Sequence, residues 1–533
     1  MKKILNNIFM AALLIAFMGC SDDYLNTAPT NATGAATAFE TTENAAMVVN
    51  GLARIMVRNP SSTSVYQQGL GGEAGIKLWY GDFTGNTMTI PAGTSGSYGP
   101  TVDVASGNLH DNTSSPITSY PWWYYYQIVS NANSVLKYVD DATGPDSEKQ
   151  RLKAQAFTYR AYAFTQLVQL YGNRWADSNN GATPAIVLRV EPTVTSLALS
   201  TMADTYKQIY DDLDEAISLF TTSGWQRDKD DFWTPTINVA YATYARAAIN
   251  KLDYAKAIEM AVKARAGYPL MTVAEYKAGF FDVNREWIWG GYTSADQTMA
   301  YYSYHANIAY DGYAARSTAS TKCIEKSYYE QIPATDIRKA LFLDATGYST
   351  NATNGMVLDN AANKPLLDFV KAKVSGSALN SNRIFEYMQF KIACKATPGI
   401  GYLNFFRSSE MYLIEAEAQC KLGTPAGATR AQQLLVELTK DSGRDPNFTC
   451  TETGAALFEK IKFMSQIELW GEGFDWFMTK RWNDKIIHKS YGKGGNYHIN
   501  YNGEFGPEEK NKQTWMIPLL ETDYNPLAKG LAN

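Results

Sequence analysis

The most constraining feature of the sequence is a short turn flanked by small apolar residues at helical spacing. The turn is Asn250-Lys-Leu-Asp253, and the residues around it lie between Tyr244 and Ala264. They are Ala247, Ala248, Tyr254, Ala257, Ala261 and Ala264. Residues that recur every three or four positions lie on one face of a helix. Because the side chains are small, two helices can approach closely, and the pattern predicts a tight antiparallel helical hairpin.

Other segments repeat this organisation and indicate a mainly α-helical fold. Ser147-Glu-Lys-Gln150 has the capping-box pattern of a helix start, and Gly172 is the expected stop. A further helix is predicted after Thr201, and another pair begins near Ser409. These pairs resemble tetratricopeptide (TPR) units, although their period is irregular. We therefore expect TPR-like hairpins that pack together, at 147–219, 236–266 and 407–440.

Two long regions lack this periodicity. The first, 59–119, is rich in Gly, Ser and Thr and contains Leu78-Trp-Tyr-Gly-Asp82. The second, about 280–399, opens with a strand-like segment in which Trp287 and Trp289 are expected to pack in the core. Long irregular regions in a compact protein usually carry function. We expect the two regions to lie together on another face, as a loop-rich ligand-binding half with minor β structure.

The aromatic content suggests the kind of ligand. The chain has 35 Tyr and 12 Trp but only 4 His. A tyrosine or tryptophan ring has a flat apolar face and a polar group, so it can stack on a sugar ring while polar neighbours bind the hydroxyls. We predict an exposed platform that includes Trp79 and Tyr80, with Asp82 and Asn86 binding hydroxyls. The second region adds Tyr292, Tyr304, Tyr310, Tyr313 and Arg316.

The N-terminus has the layout of a bacterial lipoprotein signal. Lys2 and Lys3 precede an apolar run from Ile8 to Met18, and Gly19 precedes Cys20. The run is too short to span a membrane. We predict a signal peptide at 1–19, acylation of Cys20, a flexible lipidated tether at 20–37 and a single domain at 38–533.

Composition and motifs exclude several functions. With 48 basic and 53 acidic residues, the formal charge is −5 and there is no basic stripe, so nucleic acid is excluded as a partner. The cysteines after Cys20 have no CxxC spacing, which favours free thiols. No motif for a metal ion, a cofactor or a catalytic triad occurs.

Several glutamates near the C-terminus could suggest a hydrolase. They are Glu410, Glu415, Glu417, Glu468 and Glu472. Glycoside hydrolysis needs two carboxylates that face each other across a cleft. These residues instead lie beside apolar faces of predicted helices, so we expect capping and ion pairing.

The same C-terminal segments resemble those of the SusD/RagB family of outer-membrane nutrient-binding lipoproteins. The similar segments are Arg407-Ser-Ser-Glu-Met-Tyr-Leu-Ile-Glu-Ala-Glu417, Ile467-Glu-Leu-Trp-Gly-Glu-Gly473, Lys480-Arg-Trp482, Ile517-Pro518 and Asn525-Pro526. Upstream matches are Asn131-Ala-Asn133, Arg160-Ala-Tyr162, Leu170-Tyr-Gly172, Tyr210-Asp-Asp-Leu213 and Asn284-x-Glu286. Two departures are Ser465-Gln466 in place of E-R and the displacement of P-L to Thr183-Pro184.

The resemblance implies a helical TPR scaffold, at about 120–280 and 400–533, packed against a variable ligand-binding half. It also implies a lipid-anchored protein on the outer membrane, facing outward, that partners a TonB-dependent (SusC-like) transporter. The expected function is capture of oligosaccharide or polysaccharide and its delivery to that transporter, without enzymatic activity. Two alternatives stay open, a peptide-binding protein of the RagB type and a secreted glycan hydrolase.

Overall fold

The computed structural model describes residues 35–57, 71–91, 110, 112–294, 303–317, 320–374, 383–506 and 513–529. Cys20 and most of the predicted tether lie outside these ranges, and so does the side chain of Arg316. The described part is mainly α-helical and contains three two-stranded sheets. The expected fold class is therefore confirmed.

Eleven longer helices account for most of the described secondary structure. They are α1 (Thr42–Val57), α2 (Pro116–Tyr138), α3 (Asp146–Tyr171), α4 (Met202–Ser223), α5 (Ile237–Asn250), α6 (Tyr254–Ala264), α7 (Lys364–Lys373), α8 (Ser408–Lys421), α9 (Pro425–Val436), α10 (Gly454–Glu468) and α11 (Asp475–Trp482). Short helical turns lie at Ala35–Ala38, Gly72–Gly75, Val139–Asp141, Trp175–Asp177, Val273–Tyr276, Tyr304–Ile308, Tyr313–Ser317, Lys326–Gln331, Lys339–Leu341, Ala361–Asn363, Ile499–Tyr501 and Leu519–Thr522. Two π-helical turns lie at Ile76–Asp82 and Glu437–Asp441. None of the described helices is long and apolar enough to cross a lipid bilayer.

The strands form small antiparallel pairs. They are β1 (Met88–Thr89), β2 (Trp287–Thr293), β3 (Cys323–Ile324), β4 (Gly401–Arg407), β5 (Ile486–His488) and β6 (Gly503–Phe505). The pairs are β1 with β3, β2 with β4, and β5 with β6. The β1–β3 pair joins the two irregular regions, since Met88 lies opposite Ile324. The strand predicted near Trp287 is confirmed, and Trp287 and Trp289 are fully buried as expected.

The hairpin of α5 and α6 forms as the sequence predicts. Asp253 caps α6 by accepting a hydrogen bond from the Lys256 amide. Leu252 takes a positive φ of 61°, which closes the turn. The alanines facing the partner helix, including Ala257 and Ala261, are completely buried, so the two helices pack with little side-chain volume between them.

The start of α3 differs from the prediction. The helix begins at Asp146 with Pro145 at the N-cap, and no side chain caps it. The capping box placed at Ser147 is therefore wrong, and the helix starts two positions earlier, because Pro145 with its fixed φ already suits the helix start. The predicted stop at Gly172 is confirmed. On the inner face, Arg160 binds both carboxylate oxygens of Asp212 at 2.6 and 2.8 Å, which joins α3 to α4.

A buried group of charges surrounds Arg407 at the end of β4. Its guanidinium donates to the carboxylates of Glu286, Glu468 and Glu472 at 2.7 to 2.9 Å. All four side chains are buried. The neighbouring positive charges hold the pKa of Glu468 well below its usual range, although burial acts in the opposite direction. The charge of Glu468 therefore depends on the cations that surround it.

Three further cations complete this group and connect it to the second irregular region. Arg338 and Arg444 each donate to Glu468 at 3.0 Å, and Lys391 donates to Glu472 at 2.7 Å. Arg338 and Lys391 belong to the irregular region, whereas Glu468 lies at the end of α10. The ion pairs thus fix the two halves of the molecule to each other.

The remaining motif glutamates are also paired. Glu410 binds Arg246 at 2.8 Å, Glu417 binds Arg481 at 2.8 Å, and Glu415 binds Arg265. The prediction that these carboxylates have structural roles is confirmed. The motifs that carry the family resemblance therefore describe the scaffold.

Hydrogen bonds hold the segment 71–91 against the turn that precedes α11. Lys77 donates to the carbonyl of Glu472 at 2.7 Å, and the Gly473 amide donates to Asp82 at 3.0 Å. Burial lowers the pKa of Lys77 to about 8. Gly473 has a φ of +84°, and a Cβ placed there would lie 2.5 Å from the side chain of Lys77. Glycine is therefore favoured at position 473 for two reasons: the backbone is left-handed, and there is no room for a Cβ beside Lys77.

We predict that Gly473→Ala destabilises the protein more than Gly347→Ala does. Both glycines have a φ of +84°, but a Cβ at Gly347 meets no atom within 4 Å. The left-handed backbone costs both variants about 1–2 kcal/mol, and overpacking against Lys77 adds about 1 kcal/mol or more for Gly473→Ala. Urea denaturation of the two variants measures the difference. Equal losses would mean that the segment 71–91 moves aside without cost.

Candidate ligand-binding site

An open cleft of about 560 Å³ lies where the second irregular region meets loops of the helical scaffold. It has a size typical of small-molecule and oligosaccharide sites. Its lining residues are Lys229, Asp230, Phe232, Gly267, Tyr268, Pro269, Asp282, Val283, Asn284, Arg285, Trp287, Lys395 and Tyr402. They come from the α4–α5 loop, the segment after α6, the approach to β2, and β4 with its preceding loop.

The pairing of β2 with β4 places two tyrosines side by side, and one of them, Tyr402, lines the cleft. Tyr292 lies directly opposite Tyr402, with ring centroids 4.6 Å apart and an interplanar angle of 43°. Both rings are half-buried, whereas Leu403 and Phe405, which point to the other face of β4, are buried. Strand alternation thus directs the tyrosines away from the core, and they form an accessible aromatic surface.

Charged side chains surround this tyrosine pair. Lys395 binds Asp282 at 2.9 Å, and this hydrogen bond raises the pKa of Lys395. The ammonium also interacts electrostatically with both tyrosines. Asp230 is exposed, interacts electrostatically with Tyr402 and forms no ion pair within the described part of the chain. The cleft thus combines half-buried rings with exposed carboxylate and ammonium groups.

Such a surface can bind a sugar. The apolar face of a sugar ring can stack on Tyr292 or Tyr402, and a carboxylate such as Asp230 can accept hydrogen bonds from hydroxyls. Phe232 and Tyr268, both half-buried, extend the apolar lining.

Trp79 and Tyr80 do not form the exposed platform that the sequence predicts. They lie in the π-helical turn Ile76–Asp82 and are 2% and 0% exposed. The ring of Trp79 packs edge-on against Phe83 at 5.9 Å, and the hydroxyl of Tyr80 donates to the carbonyl of Ile117 at 2.6 Å. The prediction is wrong because this segment folds as helix in the core, although its flanks have a loop-like composition.

Asp82 and Asn86 are also buried, so they do not lie beside an exposed aromatic platform as predicted. Burial raises the pKa of Asp82 well above its usual range, and Asp475 adds to the effect. Asn86 donates to the carbonyl of Lys485 at 3.0 Å and accepts from the Ile487 amide at 2.7 Å. These polar groups hold the segment 71–91 in place.

The predicted tyrosines of the second region divide into two groups. Tyr304 is buried and donates its hydroxyl to the carbonyl of Gly471, so an exposed role is contradicted. Tyr292, Tyr310 and Tyr313 are half-buried. Ligand binding by these three residues stays a prediction, as it does for Arg316, whose side chain lies outside the described residues.

Tyr310 and Tyr313 are connected to the cleft through one segment, 392–402. The amide of Tyr310 donates to the carbonyl of Ile392 at 3.1 Å, and that of Tyr313 donates to Pro398 at 2.9 Å. Lys395 and Tyr402, which line the cleft, belong to the same segment. The predicted tyrosines and the cleft therefore share a structural support.

Phe232, Tyr268 and Tyr402 line the cleft but were not predicted from the sequence. Tyr402 lies far from Tyr292 in the chain, and only the strand register reveals that they are neighbours. Phe232 and Tyr268 follow helices and have no local pattern that marks them as binding residues.

Two family profiles match the chain. Residues 96–249 match a SusD-like family described as starch-binding associating with outer membrane. Residues 378–527 match the SusD family. No functionally curated protein matches the chain.

Several solved structures share the fold over nearly the whole chain. A SusD-like carbohydrate binding protein from Bacteroides vulgatus has 20% identity and a TM-score of 0.73, covering 92% of this chain and 98% of its own. A SusD superfamily protein from the same species has 20% identity and a TM-score of 0.70, with 92% and 98% covered. One from Bacteroides thetaiotaomicron has 19% identity and a TM-score of 0.68, with 92% and 99% covered. At these identities the likeness establishes the fold.

Proposed function

Because the chain belongs to the SusD/RagB family, we propose that it is a lipid-anchored protein of the outer membrane, facing outward, that captures oligosaccharide. In this proposal it delivers the glycan to a partner TonB-dependent transporter. The observation that carries the binding role is the half-buried Tyr402, which lines the open cleft and packs against Tyr292. The names of a matched profile and of a structural neighbour, which mention starch and carbohydrate, support a glycan as ligand.

The arrangement of carboxylates favours binding over hydrolysis. Two-carboxylate hydrolysis requires an acid and a base or nucleophile on either side of the scissile bond. Of the two carboxylates that line the cleft, Asp282 is bound by Lys395, which leaves Asp230 as the unpaired one in the described lining. The glutamates of the C-terminal motifs are engaged in ion pairs of the scaffold.

We predict that Tyr402→Ala and Tyr292→Ala each weaken binding of an oligosaccharide that is first identified on a glycan array. Loss of a stacked ring costs about 2 kcal/mol at a binding anchor, which corresponds to about a thirtyfold increase in Kd. Calorimetric titration of the folded variants measures this change. Tyr524→Ala is the matched control, because Tyr524 is 83% exposed and lies in the C-terminal segment.

The same experiment separates the alternatives. Wild-type affinity in both cleft variants would place the glycan elsewhere, with Tyr310 and Tyr313 as the next residues to replace. Release of shorter products during overnight incubation would indicate a hydrolase. Binding of peptides with no array signal would indicate the peptide-binding alternative.

A further inference from the structure

A second, smaller pocket lies at the C-terminal end of α3, with a volume of about 30 Å³. We call it the basic pocket, because its lining contains three cations, Arg174, Lys480 and Arg481, and no carboxylate. The remaining lining residues are Val168, Gln169, Asn173, Trp175, Ala176, Tyr206, Asn250, Leu252 and Phe477. The space suffices for about two water molecules or one small anion.

Lys480 is the buried cation of this pocket, at 5% exposure. Its ammonium donates to the carbonyls of Gln169 and Gly172 at 2.7 and 2.8 Å, at the end of α3. It forms no ion pair with a described carboxylate, and its third N–H has no acceptor in the described part of the protein. Burial lowers the pKa of Lys480 to about 7, and Arg174 contributes in the same direction. Asp177 acts in the opposite direction through space, and the ammonium lies 5.3 Å from the centroid of the Trp476 ring. The ammonium is thus compensated only at a distance, without a direct ion pair in the described part of the protein.

The two arginines present further donors without partners. Arg174 uses Nε and Nη2 to bind Asp177 at 2.7 and 2.8 Å. Arg481 uses the same two atoms to bind Glu417 at 2.9 and 2.8 Å. In both residues Nη1 has no hydrogen-bond acceptor among the described residues. Each guanidinium is thus fixed by a bidentate ion pair and keeps one nitrogen available.

We propose that the basic pocket binds a small tetrahedral oxyanion, sulfate or phosphate. Its donors come from two separate elements: Arg174 lies in the turn after α3, and Lys480 and Arg481 lie on helix α11. The donor groups therefore do not all lie in one plane, as the nitrogens of a single guanidinium do. A tetrahedral oxyanion has acceptors in several directions and suits such donors, whereas a carboxylate accepts mainly in one plane. Charge-assisted hydrogen bonds from preoriented cations are the strongest kind available to such a site.

The basic pocket is independent of the sugar-binding proposal. It shares no lining residue with the cleft beside Tyr292 and Tyr402. Failure of glycan binding would therefore leave the anion-binding proposal unchanged. Failure of anion binding would likewise leave the glycan-binding proposal unchanged.

Equilibrium dialysis of the full-length protein with radiolabelled sulfate, and separately phosphate, tests the proposal at constant ionic strength. We expect saturable binding of one anion per chain. Arg174→Leu removes one pocket cation at a partly exposed site and should weaken binding about tenfold, the effect of one charge-assisted hydrogen bond. Arg189→Leu is the matched control, since Arg189 pairs with Glu521 away from the pocket, and its affinity should equal that of wild type.

Asp177→Asn provides a second test in the opposite direction. It removes the negative charge that pairs with the Arg174 guanidinium. The guanidinium is then free to bind the anion, which should bind more tightly than in wild type. Absence of saturable binding, or unchanged affinity in both Arg174→Leu and Asp177→Asn, would overturn the proposal. Acetate that displaces sulfate and phosphate at lower concentration would overturn the assignment to a tetrahedral oxyanion.

Discussion

Replacing Arg407 by alanine is expected to lower the free energy of unfolding by about 3–5 kcal/mol, the usual cost of removing one partner of a buried ion pair. Arg407 binds Glu286, Glu468 and Glu472, and all of these side chains are buried. Without the guanidinium, three carboxylates remain in a region that water does not reach. Arg338, Arg444 and Lys391 remain, but Arg338 also neutralises the buried Asp336, so the group keeps one uncompensated negative charge.

Urea denaturation followed by circular dichroism measures this loss. Lys364→Ala is the control, because Lys364 and Asp368 form an ion pair on the surface with side chains 70% and 55% exposed. Exposed pairs contribute about 0–1 kcal/mol, so the control should remain near wild type. A loss in Arg407→Ala no larger than that of the control would show that the carboxylates are solvated or protonated after the substitution.

Replacing Cys20 by alanine is expected to abolish acylation and to remove the protein from the outer-membrane fraction. The apolar run that ends at Gly19 and Cys20 has the layout of a lipoprotein signal, and several acyl chains anchor a protein far more firmly than one. If the acyl chains are the anchor, membrane association should be lost together with the acylation site.

Metabolic labelling with a fatty-acid analogue, combined with membrane fractionation, tests this expectation. Wild type should carry the label and Cys20→Ala should not. Cys420→Ala is the control, because Cys420 is a half-buried free thiol of the folded domain, and it should be labelled like wild type. Equal labelling of Cys20→Ala would refute acylation at this position.

The helical scaffold could be predicted because its information is local. The alanines around Asn250–Asp253 and the stop at Gly172 depend on neighbours within a few turns, and both predictions are confirmed. The error at Ser147 is of the same local kind, since Pro145 already provides the helix start.

The candidate site could not be predicted in the same way. The composition around Trp79 is typical of loops, but composition does not tell whether a side chain is buried. In the structure the Trp79 ring is buried and packs against Phe83. Tyr402 reaches Tyr292 through a strand register that local sequence does not encode. Aromatic content thus suggested the kind of surface to look for, while the position of the candidate surface depends on the tertiary structure.

The β2–β4 pair also has a consequence for biosynthesis. Its strands are far apart in the chain, and closing a long loop delays the contacts that depend on it. The tyrosine surface therefore cannot exist in a nascent chain until residue 407 has been synthesised and is free to pair with β2. A copy truncated before β4 has no such surface to present, so the proposed binding of glycan at this cleft requires a chain that extends through β4 and has folded.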